Sequence, residues 1–166
     1  MVVFILANHH ELFEAVKDDV TKQIIGRLKK GTDLLGGIIE VCRTYDVHAG
    51  SFQCIGSLAG IGFMQFEQKE DGTLLYAEPT ILHEPAELLA GTGFVGLDEQ
   101  GELDIHYHGM FLDKRGNLSG GHFLREENPI AITMEFIIHP VQDAQMKKKP
   151  DPDFNIPIFS FSKRGG

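Results

Sequence analysis

From Asp104 to Leu124 the chain reads D-I-H-Y-H-G-M-F-L-D-K-R-G-N-L-S-G-G-H-F-L and carries three of its eight histidines, His106, His108 and His122. Alternation at a period of two predicts strands over Ile105–Leu112 and Leu118–Leu124, joined by Asp113-Lys114-Arg115-Gly116-Asn117. A three-residue loop built on a type I turn requires a residue at positive φ in third place, and Gly116 stands there. That loop pairs Leu112 with Leu118, Met110 with Gly120, His108 with His122 and His106 with Leu124, so all three histidines share one face. A two-residue turn would slip the register by one and send His122 to the opposite face.

In the first register a directly opposed pair has Cβ atoms ~5 Å apart and a diagonal pair ~7 Å apart, close enough for three imidazoles to converge on one ion. Histidine is the commonest zinc ligand, and three imidazoles plus water form an open tetrahedral site. The competing reading is three ordinary polar side chains on an exposed sheet face. The other face of the hairpin carries Ile105, Tyr107, Phe111 and Phe123 and is expected to meet the core. Gly120 and Gly121 leave room beside His122 for a metal, a water or a small ligand.

A chain of 166 residues is one domain's length and sustains a core without disulfides or metal. The apolar start from Met1 to Ala7 is too short to span a membrane and lacks the flanks of a signal peptide, so a cytoplasmic protein with no membrane association is expected. Cys42 and Cys54 have no metal or redox spacing and read as buried free thiols. A formal charge of −9 opposes nonspecific attraction to nucleic acid.

Along the rest of the chain, Leu12, Phe13, Ala15, Val16 and Val20 fall at roughly helical spacing with Asn8 as a cap, and His9 and His10 are expected to be solvated. Thr21–Leu28 reads as a strand. Thr32 or Asp33 opens the clearest helix, whose stripe is Leu34, Leu35, Ile38, Ile39, Cys42 and Tyr45. Runs at Phe52–Leu58, Ile61–Phe66, Thr73–Tyr76, Ala86–Leu97 and Ile130–Ile138 read as strands, the last as a sheet centre. Lys147-Lys148-Lys149-Pro150 reads as a solvated linker, followed by an apolar tail, Phe154 to Phe161, that needs a surface to pack on. The pattern implies an α+β fold, a largely antiparallel β-sheet flanked by helices.

Several segments, in this order, resemble the plants and prokaryotes conserved (PPC) domain in its stand-alone prokaryotic form. They are Gly31-Thr32-Asp33, Cys54-Ile55-Gly56-Ser57-Leu58, Ala86-Glu87-Leu88-Leu89-Ala90-Gly91-Thr92-Gly93, His106-x-His108, Gly116 with Gly120-Gly121-His122, and Thr133-Met134-Glu135. The resemblance covers residues 21–139 and leaves 1–20 as an N-terminal extension and 140–166 as a C-terminal extension packing on the domain or a neighbouring subunit. It implies a homotrimer and raises the standing of the three-histidine metal site. Plant relatives accompany AT-hooks in binding AT-rich DNA. Here the hook core Arg-Gly-Arg-Pro is absent, and Lys114-Arg115-Gly116 and Lys163-Arg164-Gly165 are only fragments of it.

Three functions follow. The first is a trimeric protein holding a divalent metal, Zn2+, on His106, His108 and His122, with a ligand-binding or regulatory role toward a small molecule. The second is an AT-rich DNA-binding regulator. The third is a zinc-dependent hydrolase in which Glu87 or Glu135, at positions matching the family, supplies the base. Asp104 shares the His106 face as a candidate supporting carboxylate, His48 and His83 are candidate fourth ligands, and His139 is read as a strand-end residue. No Walker loop, nucleophile elbow, dinucleotide fingerprint or zinc finger occurs.

Overall fold

The structure is a computed structural model and describes residues 11–154 and 156–165. Its frame is an antiparallel sheet in the order β1 (Phe13–Lys17), β2 (Ile24–Lys29), β11 (Ile130–Pro140), β3 (Gly50–Leu58), β8 (Ala86–Leu97), β9 (Leu103–Asp113), β10 (Leu118–Phe123), β4 (Ile61–Met64) and β7 (Thr80–Leu82). The hairpin β12 (Ala144–Pro150) and β13 (Pro157–Lys163) joins beside β8 through a parallel bridge between Lys147 and Leu97. A separate small hairpin pairs β5 (Phe66–Gln68) with β6 (Leu74–Tyr76).

Alternation decides which face is dry. Along β9, Leu103, Ile105, Tyr107 and Phe111 are buried, while His106, His108 and Met110 point to the opposite face. The buried faces of β2, β3, β8 and β11 add Ile24, Leu28, Phe52, Leu58, Leu88, Met134, Phe136 and Ile138. Helix α1 (Leu34–Thr44) lies over this side and buries Leu34, Leu35, Ile38, Ile39, Val41 and Cys42. Each such aliphatic or aromatic side chain contributes ~1.5–3 kcal/mol on leaving water.

Asp33 starts the helix, one carboxylate oxygen accepting from the Gly36 N–H at 2.8 Å and the other from the Asn128 N–H at 3.0 Å. Asn128 is itself fully buried, and its side-chain oxygen accepts from the Gly62 N–H at 3.2 Å. One capping residue thus ties the helix to the loop that enters β11, an interior strand between β2 and β3.

The structure corrects the expectation of a sheet flanked by helices: among the described residues α1 is the one helix, and the fold is more nearly all-β. The stretch from Leu12 to Val20 is not helical. Phe13 and Ala15 turn inward while Val16 and Val20 stay exposed, and backbone pairing of β1 with β2 prevails over the helical spacing. Asn8, His9 and His10 lie outside the described residues. Nor is Lys147–Lys149 a linker, because the tail it precedes supplies β13 as a hydrogen-bonding partner for β12. No described helix is long and apolar enough to cross a membrane.

Candidate metal centre

The β9–β10 turn has the geometry its glycine demands. Gly116 sits at φ +80°, its N–H donates to the Asp113 carbonyl at 2.9 Å, and the Asp113 N–H donates to the Asn117 carbonyl at 3.0 Å. The Asp113 carboxylate accepts from the N–H groups of Arg115 and Asn117, both at 2.8 Å. These hydrogen bonds hold the carboxyl below its ordinary range, the Asn117 contacts contributing most. The resulting register pairs Leu112 with Leu118, Met110 with Gly120, and His108 with His122.

His106, His108 and His122 therefore converge, each offering a ligand atom within 4.8 Å of the other two. The Nε2 atoms of His106 and His108 stand 3.1 Å apart. That contact is a hydrogen bond between the rings, and two nitrogens on one tetrahedral zinc, at ~2.0–2.1 Å each, lie about 3.3–3.4 Å apart, so a small parting of the rings would admit an ion. Nδ1 of His122 is buried without a hydrogen-bond partner. An orphaned ring nitrogen of that kind costs about 1–3 kcal/mol unless a cation or a donor meets it. The three residues present fit a divalent metal.

Electrostatics favour the ligating, neutral state. Burial lowers the pKa of His106, with His108 and Lys148 adding to the shift and Asp104 opposing it. Burial, then the neighbouring His106 and His108, lowers His122 to about 4. Both rings are uncharged at neutral pH and need lose no proton to bind a cation.

Other candidates are placed elsewhere. Glu87 lies exposed opposite Leu112 and Ser57, toward the turn end of β9, and Glu135 lies exposed on β11 between Arg27 and Ile55, with Thr133 donating to it. Neither joins the histidine group. Asp104 does share the His106 side, but its carboxylate is taken by Lys148 Nζ at 2.5 Å and by Arg125 at 3.7 Å. His48 pairs with Asp46 at 3.6 Å in a separate cleft, His83 is exposed beyond β7, and His139 hydrogen-bonds Gln23 at 3.1 Å. Both cysteines are free and buried, and burial pushes each thiol up to about 12.

Sequence reading missed the surroundings of the rings. Tyr76, on β6, lies 5.2 Å from His122 between ring centroids. Lys148 comes from the stretch taken for a linker, and with Phe94 and Phe161 it borders a cavity of about 410 Å³ over His106 and His122. The one available signal was the density of β-branched and aromatic residues at Ile156, Ile158, Phe159 and Phe161, which marks a strand able to pair with the lysine run.

Residues 16–142 match the Plants and Prokaryotes Conserved (PCC) domain. Three crystal structures share the fold. One is of a protein provisionally named for DNA binding from Bacteroides thetaiotaomicron, with TM-score 0.76 and 16% identity over 90% of this chain and 98% of that one. The metal-containing protein of Archaeoglobus fulgidus gives TM-score 0.71 and 21% identity, again over 90% and 98% of the two chains. The plant- and prokaryote-conserved protein of Pyrococcus horikoshii gives 0.70 and 19% identity over 90% and 94%. No functionally curated protein matches the sequence.

Proposed function

This chain belongs to the Plants and Prokaryotes Conserved domain family, and we propose that it is a cytoplasmic, homotrimeric member that binds one divalent cation, Zn2+, through His106, His108 and His122 and serves in ligand binding or regulation. The observation that carries this reading is the convergence of three ligand atoms within 4.8 Å on a turn-fixed hairpin. A structural neighbour named as metal-containing supports it. His106, His108 and His122 would hold the ion, which would supply Lewis-acid chemistry toward an oxygen ligand.

Binding is preferred over hydrolysis because, among the described residues, no carboxylate joins the histidines to serve as a base. Glu87 and Glu135 lie on other parts of the sheet, and Asp104 is held by two cations. Assembly is supported by apolar side chains left on the outer sheet face, among them Ile25 and Ile55, each at least half exposed. A trimer mass in sedimentation equilibrium would agree with it, and a monomer mass would remove it.

Elemental analysis tests the metal. Purified protein is expected to carry close to one zinc per chain, and the His106→Ala/His108→Ala/His122→Ala variant none. Equal metal in both would eliminate the site. The second reading, DNA binding, draws on the provisional name of one structural neighbour and stands against a formal charge of −9.

A further inference from the structure

The cavity over His106 and His122 has a composition that narrows what it can hold. Its floor is formed by His106 and His122, one side by Lys148, and the remaining walls are apolar or aromatic, including Tyr76, Phe94 and Phe161. At about 410 Å³ it falls in the ordinary range for small-molecule sites, which are mostly apolar with a few fixed polar groups. Much of the wall comes from the β12–β13 hairpin, all of which lies beyond the residues 16–142 matched to the family.

We infer that this cavity binds a small organic carboxylate with an aromatic or branched apolar body, its oxygen atoms directed to the histidine-bound cation and to Lys148, its body lying against the exposed surfaces of Phe94 and Phe161. The inference rests on the metal reading above. Its charge logic is local and opposite to that of the whole chain. Asp104 is paired with both Lys148 and Arg125, so one carboxylate meets two cations, and a divalent ion on the histidines would add to an excess that an anionic head offsets.

Phe94 and Phe161 make an edge contact at 6.4 Å between centroids, yet they remain 44% and 64% exposed. Two large rings left open beside a cation site offer stacking surface to an apolar ligand body. Lys148 is held in place from both sides, by Asp104 at 2.5 Å and over the Phe159 ring at 5.5 Å, so its ammonium is oriented before a ligand arrives. Beyond the histidines, Lys148 and Tyr76 are the polar side chains of the lining, fewer donors than a phosphate dianion calls for.

Calorimetric titration of the zinc-loaded full chain with 3-phenylpropionate, acetate and 3-phenylpropan-1-ol tests the inference, with zinc content measured on each sample. Phenylpropionate is expected to bind at least roughly tenfold more tightly than either comparator, because each lacks one of the two recognised parts. Phe161→Ala and Phe94→Ala are expected to weaken phenylpropionate by roughly threefold to tenfold while leaving acetate and zinc content unchanged. Lys148→Met is expected to weaken both acids and leave the alcohol unaltered. Full zinc with phenylpropionate bound no better than acetate or the alcohol overturns the cavity assignment and leaves the metal site standing. Protein that takes up no zinc overturns both.

Discussion

His108 and His122 stand directly opposite one another on adjacent antiparallel strands, ring centroids 5.5 Å apart, and His106 lies 5.2 Å from the same His122 ring. That relationship depends on the turn five residues away. A shift of one residue would carry His122 to the core face occupied by Tyr107 and Phe123, so the ligand set exists only in the register that Gly116 permits.

Gly116→Val is therefore expected to destabilise the protein by about 1–2 kcal/mol, since an L side chain at φ +80° is strained, whereas Gly116→Asn should cost much less. Urea denaturation of both variants measures this. Equal midpoints for Val and Asn would show that the turn does not set the hairpin.

Gly91 is a second position where the side chain must be absent. A Cβ there would stand 1.6 Å from the Tyr107 hydroxyl oxygen. Tyr107 cannot yield easily, being stacked on Phe52 at 5.3 Å with its hydroxyl 3.1 Å from Cys54 Sγ. Gly91→Ala should cost about 1–3 kcal/mol from overpacking, partly recovered when Tyr107→Phe removes the hydroxyl. A loss under about 0.5 kcal/mol on chemical denaturation would contradict this packing.

The metal-free protein should lose stability in mild acid. His122 titrates near 4 when folded and near 6.5 when unfolded, so as pH falls through this window the unfolded chain takes up the proton first. Stability should be flat above about pH 6.5 and decline toward pH 4, and His122→Gln should flatten that decline. Asp18, Asp71 and Asp113, held low by hydrogen bonds, contribute stability that is lost only at still lower pH. An unchanged slope in the variant would show that burial of His122 is not the cause.

AT-rich duplex DNA should show no salt-dependent retardation with this protein. The formal charge is −9, and Lys114, in one of the two hook-like fragments, is paired with Glu84 at 2.6 Å. Retardation at low salt that falls steeply as salt rises would favour the DNA-binding reading.

The hairpin was legible in the sequence because its determinants are local: a glycine at the one loop position needing positive φ, and strict alternation that separates His106 and His108 from Ile105, Tyr107 and Phe111. The helix was legible through Asp33 and the Leu34–Cys42 stripe. What failed was long-range. Val16 and Val20 extend Phe13 into a helical spacing, and only the presence of β2 as a partner makes β1 a strand. Lys148 looked like part of a solvated run because nothing near it in sequence reveals Asp104, forty-four residues earlier, as its partner. Tyr76 was invisible as a neighbour of His122 because a three-residue strand does not announce what it packs against.

The central claim is tested most directly by anomalous diffraction at the zinc edge from crystals of the zinc-loaded protein. The account predicts one peak per chain, about 2.0–2.1 Å from one nitrogen each of His106, His108 and His122. Zinc-loaded crystals with no peak among these rings, or with a peak held by other residues, would contradict it.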